Sequence, residues 1–134
     1  MLSLKRAAVV GVVSFTAALV AAPAYANGGF TSYISGWGTG HNSRTWTEGA
    51  HDTVDTSVAL SGCSASGANF SSVTLQLSQV HSLTPDTDEG HKVNYCGKSS
   101  WGRQSGADYR FAVVDINGSD WGLQVSAKGV SVQY

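Results

Sequence analysis

The sequence predicts an all-β protein: a small antiparallel β-sandwich with one disulfide and an extended N-terminal arm. Three observations carry that reading. From Val54 onward, apolar and polar residues alternate with period two in runs rich in valine, leucine and aromatics, as strands with one buried face do. Clusters of Gly, Asn, Asp, Ser and Pro separate those runs and supply turn chemistry. No segment of the mature chain sustains the apolar period of an amphipathic helix.

Residues 1–26 read as a secretory signal peptide. Lys5 and Arg6 give a positive start, residues 7–22 form an uncharged apolar run, Pro23 breaks it, and Ala24-Tyr25-Ala26 offers a small-x-small cleavage site. The run falls short of the roughly 20 residues of a comfortable bilayer span. The expected product is therefore secreted and extracellular, spanning residues 27–134, the size of one domain. The whole chain has 8 Lys+Arg and 9 Asp+Glu, so loss of Lys5 and Arg6 leaves 6 against 9. That balance provides no basic stripe, which argues against nucleic acid and anionic membrane as partners.

The mature sequence divides near His51. Residues 27–50 form the arm, rich in Gly, Ser and Thr, yet carrying Phe30, Tyr33, Trp37 and Trp46. Residues 51–134 form the β-sandwich domain. Within it Val58 and Leu60 share a face, as do Val73, Leu75 and Leu77; Tyr109, Phe111 and Val113; Trp121, Leu123 and Val125; and Val130, Val132 and Tyr134. Asn117-Gly118-Ser119-Asp120 reads as a hairpin turn and Lys128-Gly129 as a second tight turn, so the last three runs form a meander. Trp121 falls in step with core positions and is expected to be buried. Cys63 and Cys96 are expected to form a disulfide, since an even pair in a small secreted domain does so.

Chemistry-bearing patterns are sparse. No serine sits in a G-x-S-x-G elbow, and a Ser/His/Asp set can be drawn from any three positions of so serine-rich a chain. No catalytic residue is assigned. Asp86-Thr87-Asp88-Glu89-Gly90 has the alternating acids of a calcium loop but lacks the third acid and distal Glu, so it reads as a solvated acidic turn. No metal ligand and no cofactor is expected. Asn69-Phe70-Ser71 and Asn117-Gly118-Ser119 match the glycosylation acceptor pattern, but no sugar is assigned. Trp101, just after Cys96, is either a stacking platform for sugars or a loop residue folded over the disulfide.

The arm carries the functional expectation. An aromatic-rich, glycine-hinged segment outside the alternating body fits a strand added to a partner's sheet, where the backbone gives affinity and alternate side chains fill pockets. Trp37, Arg44, Thr45 and Trp46 are the candidate partner-binding residues, with Arg44 and Trp46 spaced to face one side and of the types that anchor interfaces. The alternative is that the arm packs on its own domain as a first strand.

An aromatic Gly/Ser arm containing Ser43-Arg44-Thr45-Trp46, followed by a β domain with one Cys pair and preceded by an alanine-rich signal, resembles the small adaptor subunit of the umbrella toxin particles secreted by Streptomyces. The resemblance implies a non-catalytic protein within an extracellular antibacterial complex. Its partners would be protein subunits: a lectin-bearing one with an inactive trypsin-like domain, and a repeat-containing one that carries the toxin. Residues 37–48 would then lodge in the trypsin-like cleft, with Arg44 in its pocket. The competing functions are a carbohydrate-binding module using Trp101 or Tyr95, a protease inhibitor presenting Arg44, and a free-standing antimicrobial protein.

Overall fold

The computed structural model describes residues 28–49 and 53–134; the expected signal peptide, Asn27 and His51 lie outside them. Among the described residues, eight strands make two four-stranded antiparallel sheets. They are β1 (Gly29–Trp37), β2 (Trp46–Glu48), β3 (Ser57–Ser66), β4 (Val73–Val80), β5 (Thr87–Asn94), β6 (Lys98–Ser100), β7 (Ala107–Ile116) and β8 (Gln124–Gln133). The first sheet has the order β1-β8-β3-β6 and the second β2-β7-β4-β5. The fold class and the Cys63–Cys96 bridge are as the sequence predicts.

The core follows from the alternation. Val58 and Leu60 from β3 and Val125, Val130 and Val132 from β8 face Val73, Leu75 and Leu77 from β4 and Tyr109, Phe111 and Val113 from β7, all buried. At about 1.5–3 kcal/mol for each fully buried aliphatic or aromatic side chain, this cluster is what holds the sheets together.

The N-terminal segment is extended, as expected, but it does not stand outside the body. Strand β1 runs antiparallel to β8 from Gly29 opposite Gln133 to Trp37 opposite Val125. Gly28 and Tyr134 continue that ladder with reciprocal backbone bonds of 2.7 and 2.9 Å. Residues 40–48 then cross to the other sheet and track β7, bonding Val113 and Phe111 before Trp46 pairs with Tyr109. The separation into an arm and a body is thus corrected: the segment supplies one edge strand to each sheet. The physical reason is burial. Ile34 and Trp46 are core residues at 3% exposure each, and the two sheets would lose that cover if the segment left.

The expected meander is also corrected. Strands β7 and β8 belong to different sheets, so residues 117–123 form a crossover, though Asn117 and Gly118 do make a tight turn closed by the Ile116–Ser119 bridge. Lys128-Gly129 is no turn. It lies inside β8, where inward parity shifts from Val125 and Ala127 to Val130 and Val132. Glycine is required at the neighbouring Gly62, where φ is +60° and a Cβ would sit 2.8 Å from Lys128 Cβ. Strand β3 changes face at the same level, from Val58 and Leu60 to Cys63 and Ala65, so the β3–β8 register holds while the inward face of all that follows is exchanged, which is why the sequence reads as two strands.

The opposite side of the sandwich is closed covalently. Cys96 sits in the β5–β6 turn that crosses between sheets, with Cα 5.8 Å from that of Cys63 on β3. Asn94, 2% exposed, organises this turn. Its Oδ1 accepts from Cys96 N and Gly97 N at 2.9 Å each, and its Nδ2 donates to Gly97 O at 2.8 Å and Ser99 Oγ at 3.0 Å. All four amide valences are filled, as a buried polar group requires.

Candidate binding site

Four strand edges are open to solvent in such a sandwich, and the two long ones differ. Strand β5 carries Asp88, Glu89, His91 and Lys92. Charge on an edge strand discourages another chain from pairing with it. Strand β1, GFTSYISGW, carries no charged residue and no proline over nine positions. At its midpoint Tyr33 stands 68% exposed. Register irregularities flank Ile34, but nothing charged guards the free backbone groups.

Beneath this edge lies a slot between the two sheets. Phe30 and Ile34 turn toward the core from β1, exposed Ser32 borders the opening between them, and Trp37, Phe111 and Arg44 complete the wall around a cavity of about 110 Å³. Ser32 is exposed, and the β1–β8 register slips between it and Ile34, so the strand leaves an opening at this level. An apolar cavity of about 150 Å³ accommodates a benzene ring, so this one admits a branched aliphatic side chain.

Aromatic packing sets the floor. Trp46 stacks on Tyr134 with centroids 5.7 Å apart and meets Phe30 at 5.8 Å. Its indole Nε1 has no hydrogen-bond partner among the described residues. Trp37 stacks on His41 at 4.4 Å and touches Phe111 at 6.0 Å. Arg44 lies across the mouth, its guanidinium carbon 4.3 Å from the Phe30 ring centroid. Such a contact at an exposed site is worth about 0.5–1 kcal/mol, little enough for a ligand to displace. Ser43 fixes the backbone below it, accepting from Phe111 N at 3.0 Å while Ser43 N donates to Phe111 O at 2.8 Å.

The four residues singled out from sequence therefore have separate fates. Trp37 and Arg44 both line the slot. Trp46 is interred behind it and is corrected from a partner contact to a core residue. Thr45 is exposed beside Arg44, and nothing in its surroundings gives it a role. Phe30, Ser32 and Tyr33 are the residues that sequence reasoning passed over. The signal available for β1 is the spacing of Phe30 and Ile34, hidden in a stretch whose glycines and serines read as a tether.

Two tryptophan expectations change as well. Trp121 is 78% exposed rather than buried, because it belongs to the β7–β8 crossover and β8 begins only at Gln124. Trp101 is half-buried and donates from Nε1 to Gly90 O at 2.9 Å. It packs against the core as a brace between β6 and β5, which removes it as a flat sugar platform.

The acidic segment spends its carboxylates on its own fold. Asp86 pairs with Arg110 at 2.6 Å, Asp88 accepts from Gly90 N at 2.7 Å, and His91 lies 3.4 Å from Asp88. Among the described residues no group of three or more His, Cys, Asp or Glu is placed to hold a metal ion. His81 Nε2 lies 2.8 Å from Thr87 Oγ1, but Asp86 meets the His81 backbone N, not the ring, so the orienting third group of a nucleophilic triad is missing there. Glu48, 2% exposed, receives the Thr56 hydroxyl at 2.8 Å on both carboxylate oxygens. Asn117, inside one acceptor sequon, is a structural bracket: its Oδ1 accepts from Ser71 N and Ser72 N, and its Nδ2 donates to Asn69 O. Burial pushes the Tyr109 phenol above its usual range, partly offset by its hydrogen bond with Ser105.

Fold and site together define a small disulfide-tied β-sandwich with one unguarded edge over an apolar slot. No protein-family description, no curated protein and no solved structure matches this chain.

Proposed function

We propose that this protein is a secreted, non-catalytic adaptor that receives an extended strand of a partner protein along β1. The occupant is an uncharged segment that pairs with the β1 backbone and drops one aliphatic side chain into the slot beneath Arg44. The observation that carries the reading is the uncharged nine-residue edge of β1 lying over a cavity whose opening Ser32 borders. Strand addition gains main-chain hydrogen bonds, and pockets for side chains supply specificity. The direction is the reverse of the sequence expectation. Trp37 is paired within the first sheet and residues 40–48 are engaged with the second, so the chain accepts a strand where it was expected to donate one. The resemblance to the small subunits of umbrella toxin particles supports partners that are subunits of an extracellular antibacterial complex.

The test is Ser32→Leu, which places a bulky side chain at the opening of the slot without touching the backbone ladder. Tagged wild type recovered from its native culture medium brings down stoichiometric protein partners identifiable by mass spectrometry. Ser32→Leu loses at least one of them, while Asp88→Ala on the opposite edge keeps all. Recovery of every partner by folded Ser32→Leu, or of none by wild type, overturns the proposal.

A further inference from the structure

The β7–β8 crossover presents Trp121 in a way that core packing does not explain. Its loop is held rigidly. Asn117 clamps residues 69–72, Ser119 Oγ donates to Trp121 O at 3.0 Å, and Thr39 Oγ1 donates to Asp120 O at 2.6 Å. This network ties the crossover to the β1–β2 and β3–β4 connections at one end of the sandwich, yet it leaves the indole 78% exposed. A mobile tip would explain an exposed tryptophan without function; a tip pinned from both sides does not.

The indole borders a shallow, solvent-open groove. Asp120, Gln124, Ser66 and Thr39 line it with Trp121. Those groups offer a carboxylate, an amide and two hydroxyls beside one broad aromatic plane. No Lys, Arg or His lines the groove, and the Asp120 carboxylate has no ion-pair partner among the described residues. Phosphorylated and acidic ligands are therefore disfavoured. An aromatic face with convergent acceptors and donors suits a molecule with one apolar face and a rim of hydroxyls.

We propose that this end of the sandwich binds a neutral saccharide, one pyranose face stacked on Trp121 and its hydroxyls held by Asp120 and Gln124. Asp120 accepts from two adjacent hydroxyls, and Gln124 both donates and accepts. The site lies on the loop end, separate from the β1 edge, so it stands or falls independently of strand docking.

The experiment is titration of the ¹⁵N-labelled mature protein with neutral oligosaccharides: β-1,4-glucan, β-1,3-glucan, β-1,4-linked N-acetylglucosamine, α-mannan and β-galactan. Oligogalacturonate serves as the acidic counterpart. At least one neutral sugar shifts the Trp121 indole N–H resonance and the amides of residues 118–124. Trp121→Ala weakens that binding about tenfold or more, as loss of an aromatic stacking plane does. Asp120→Asn weakens it by a smaller factor, and Tyr33→Ala leaves it unchanged. Both crossover variants keep the wild-type thermal midpoint, because neither side chain is in the core. No response to any neutral sugar at millimolar concentration overturns the proposal. So does binding that survives Trp121→Ala, or a response to the acidic oligomer alone.

Discussion

Replacing Trp46 with alanine separates an integrated N-terminal segment from a tether. Trp46 is 3% exposed and wedged between Phe30 and Tyr134 at ring separations of 5.8 and 5.7 Å. Truncating a buried aromatic to alanine costs about 3–5 kcal/mol, a large share of the roughly 5–15 kcal/mol that stabilises a domain. With a urea slope of about 1–3 kcal/mol/M for small proteins, the unfolding midpoint should fall by more than about 1 M. Far-UV circular dichroism is the readout, since the substitution itself alters tryptophan fluorescence. Thr45→Ala, one residue away and exposed, is the control and should stay within about 0.5 kcal/mol of wild type. A Trp46→Ala midpoint within about 0.3 M of wild type, on the same slope scale, would refute the reasoning. It would mean that residues 40–48 hang free of the cooperative unit.

Further outcomes follow from the closed side and the buried phenol. Asn94→Ala strands the Cys96 and Gly97 amides and the Ser99 hydroxyl; at about 1–3 kcal/mol for a buried group left unpaired, urea unfolding should show a loss of roughly 2–4 kcal/mol. Reducing the Cys63–Cys96 bridge, which closes a separation of 33 residues, should lower stability by about 3–4 kcal/mol in the same assay. Because the Tyr109 pKa is raised in the folded state by burial, the native protein holds that proton more tightly than the unfolded chain. Its contribution is fully present below the unfolded phenol's value near 10 and is lost as pH rises through the higher folded value. Urea midpoints should therefore fall above pH 10 more steeply for wild type than for Tyr109→Phe; equal slopes would contradict this.

Much of the sandwich was legible because its signal is local. Val73, Leu75 and Leu77, like Tyr109, Phe111 and Val113, alternate over a few residues, and each set is buried. The parts that were not legible depend on contacts distant in sequence. Trp46 is a core residue only because Phe30 and the C-terminal Tyr134 close around it. Strand β1 has exposed Ser32 between Phe30 and Ile34 and a register slip just after it, so its alternation is broken at the place where the slot forms. Lys128-Gly129 carries turn chemistry, but Gly62 and Ser61 of a neighbouring strand decide that it is an irregularity within β8. Likewise Asn117-Gly118 is a true tight turn, and nothing local says that the chain then changes sheets. Of the candidate site, Trp37 and Arg44 could be picked out as interface-type side chains. Ser32 could not, since an exposed serine in a Gly/Ser-rich stretch gives no sign that it borders an opening.

Strand docking on β1 is tested most directly by amide hydrogen exchange of this protein alone and within the complex recovered from culture medium. Residues 29–37 should become protected on complex formation, with the amides directed away from β8 slowing most, while Thr87–Asn94 on the opposite edge stays unchanged. An intact complex in which β1 exchanges at its free rate, and another face is protected instead, would contradict the account.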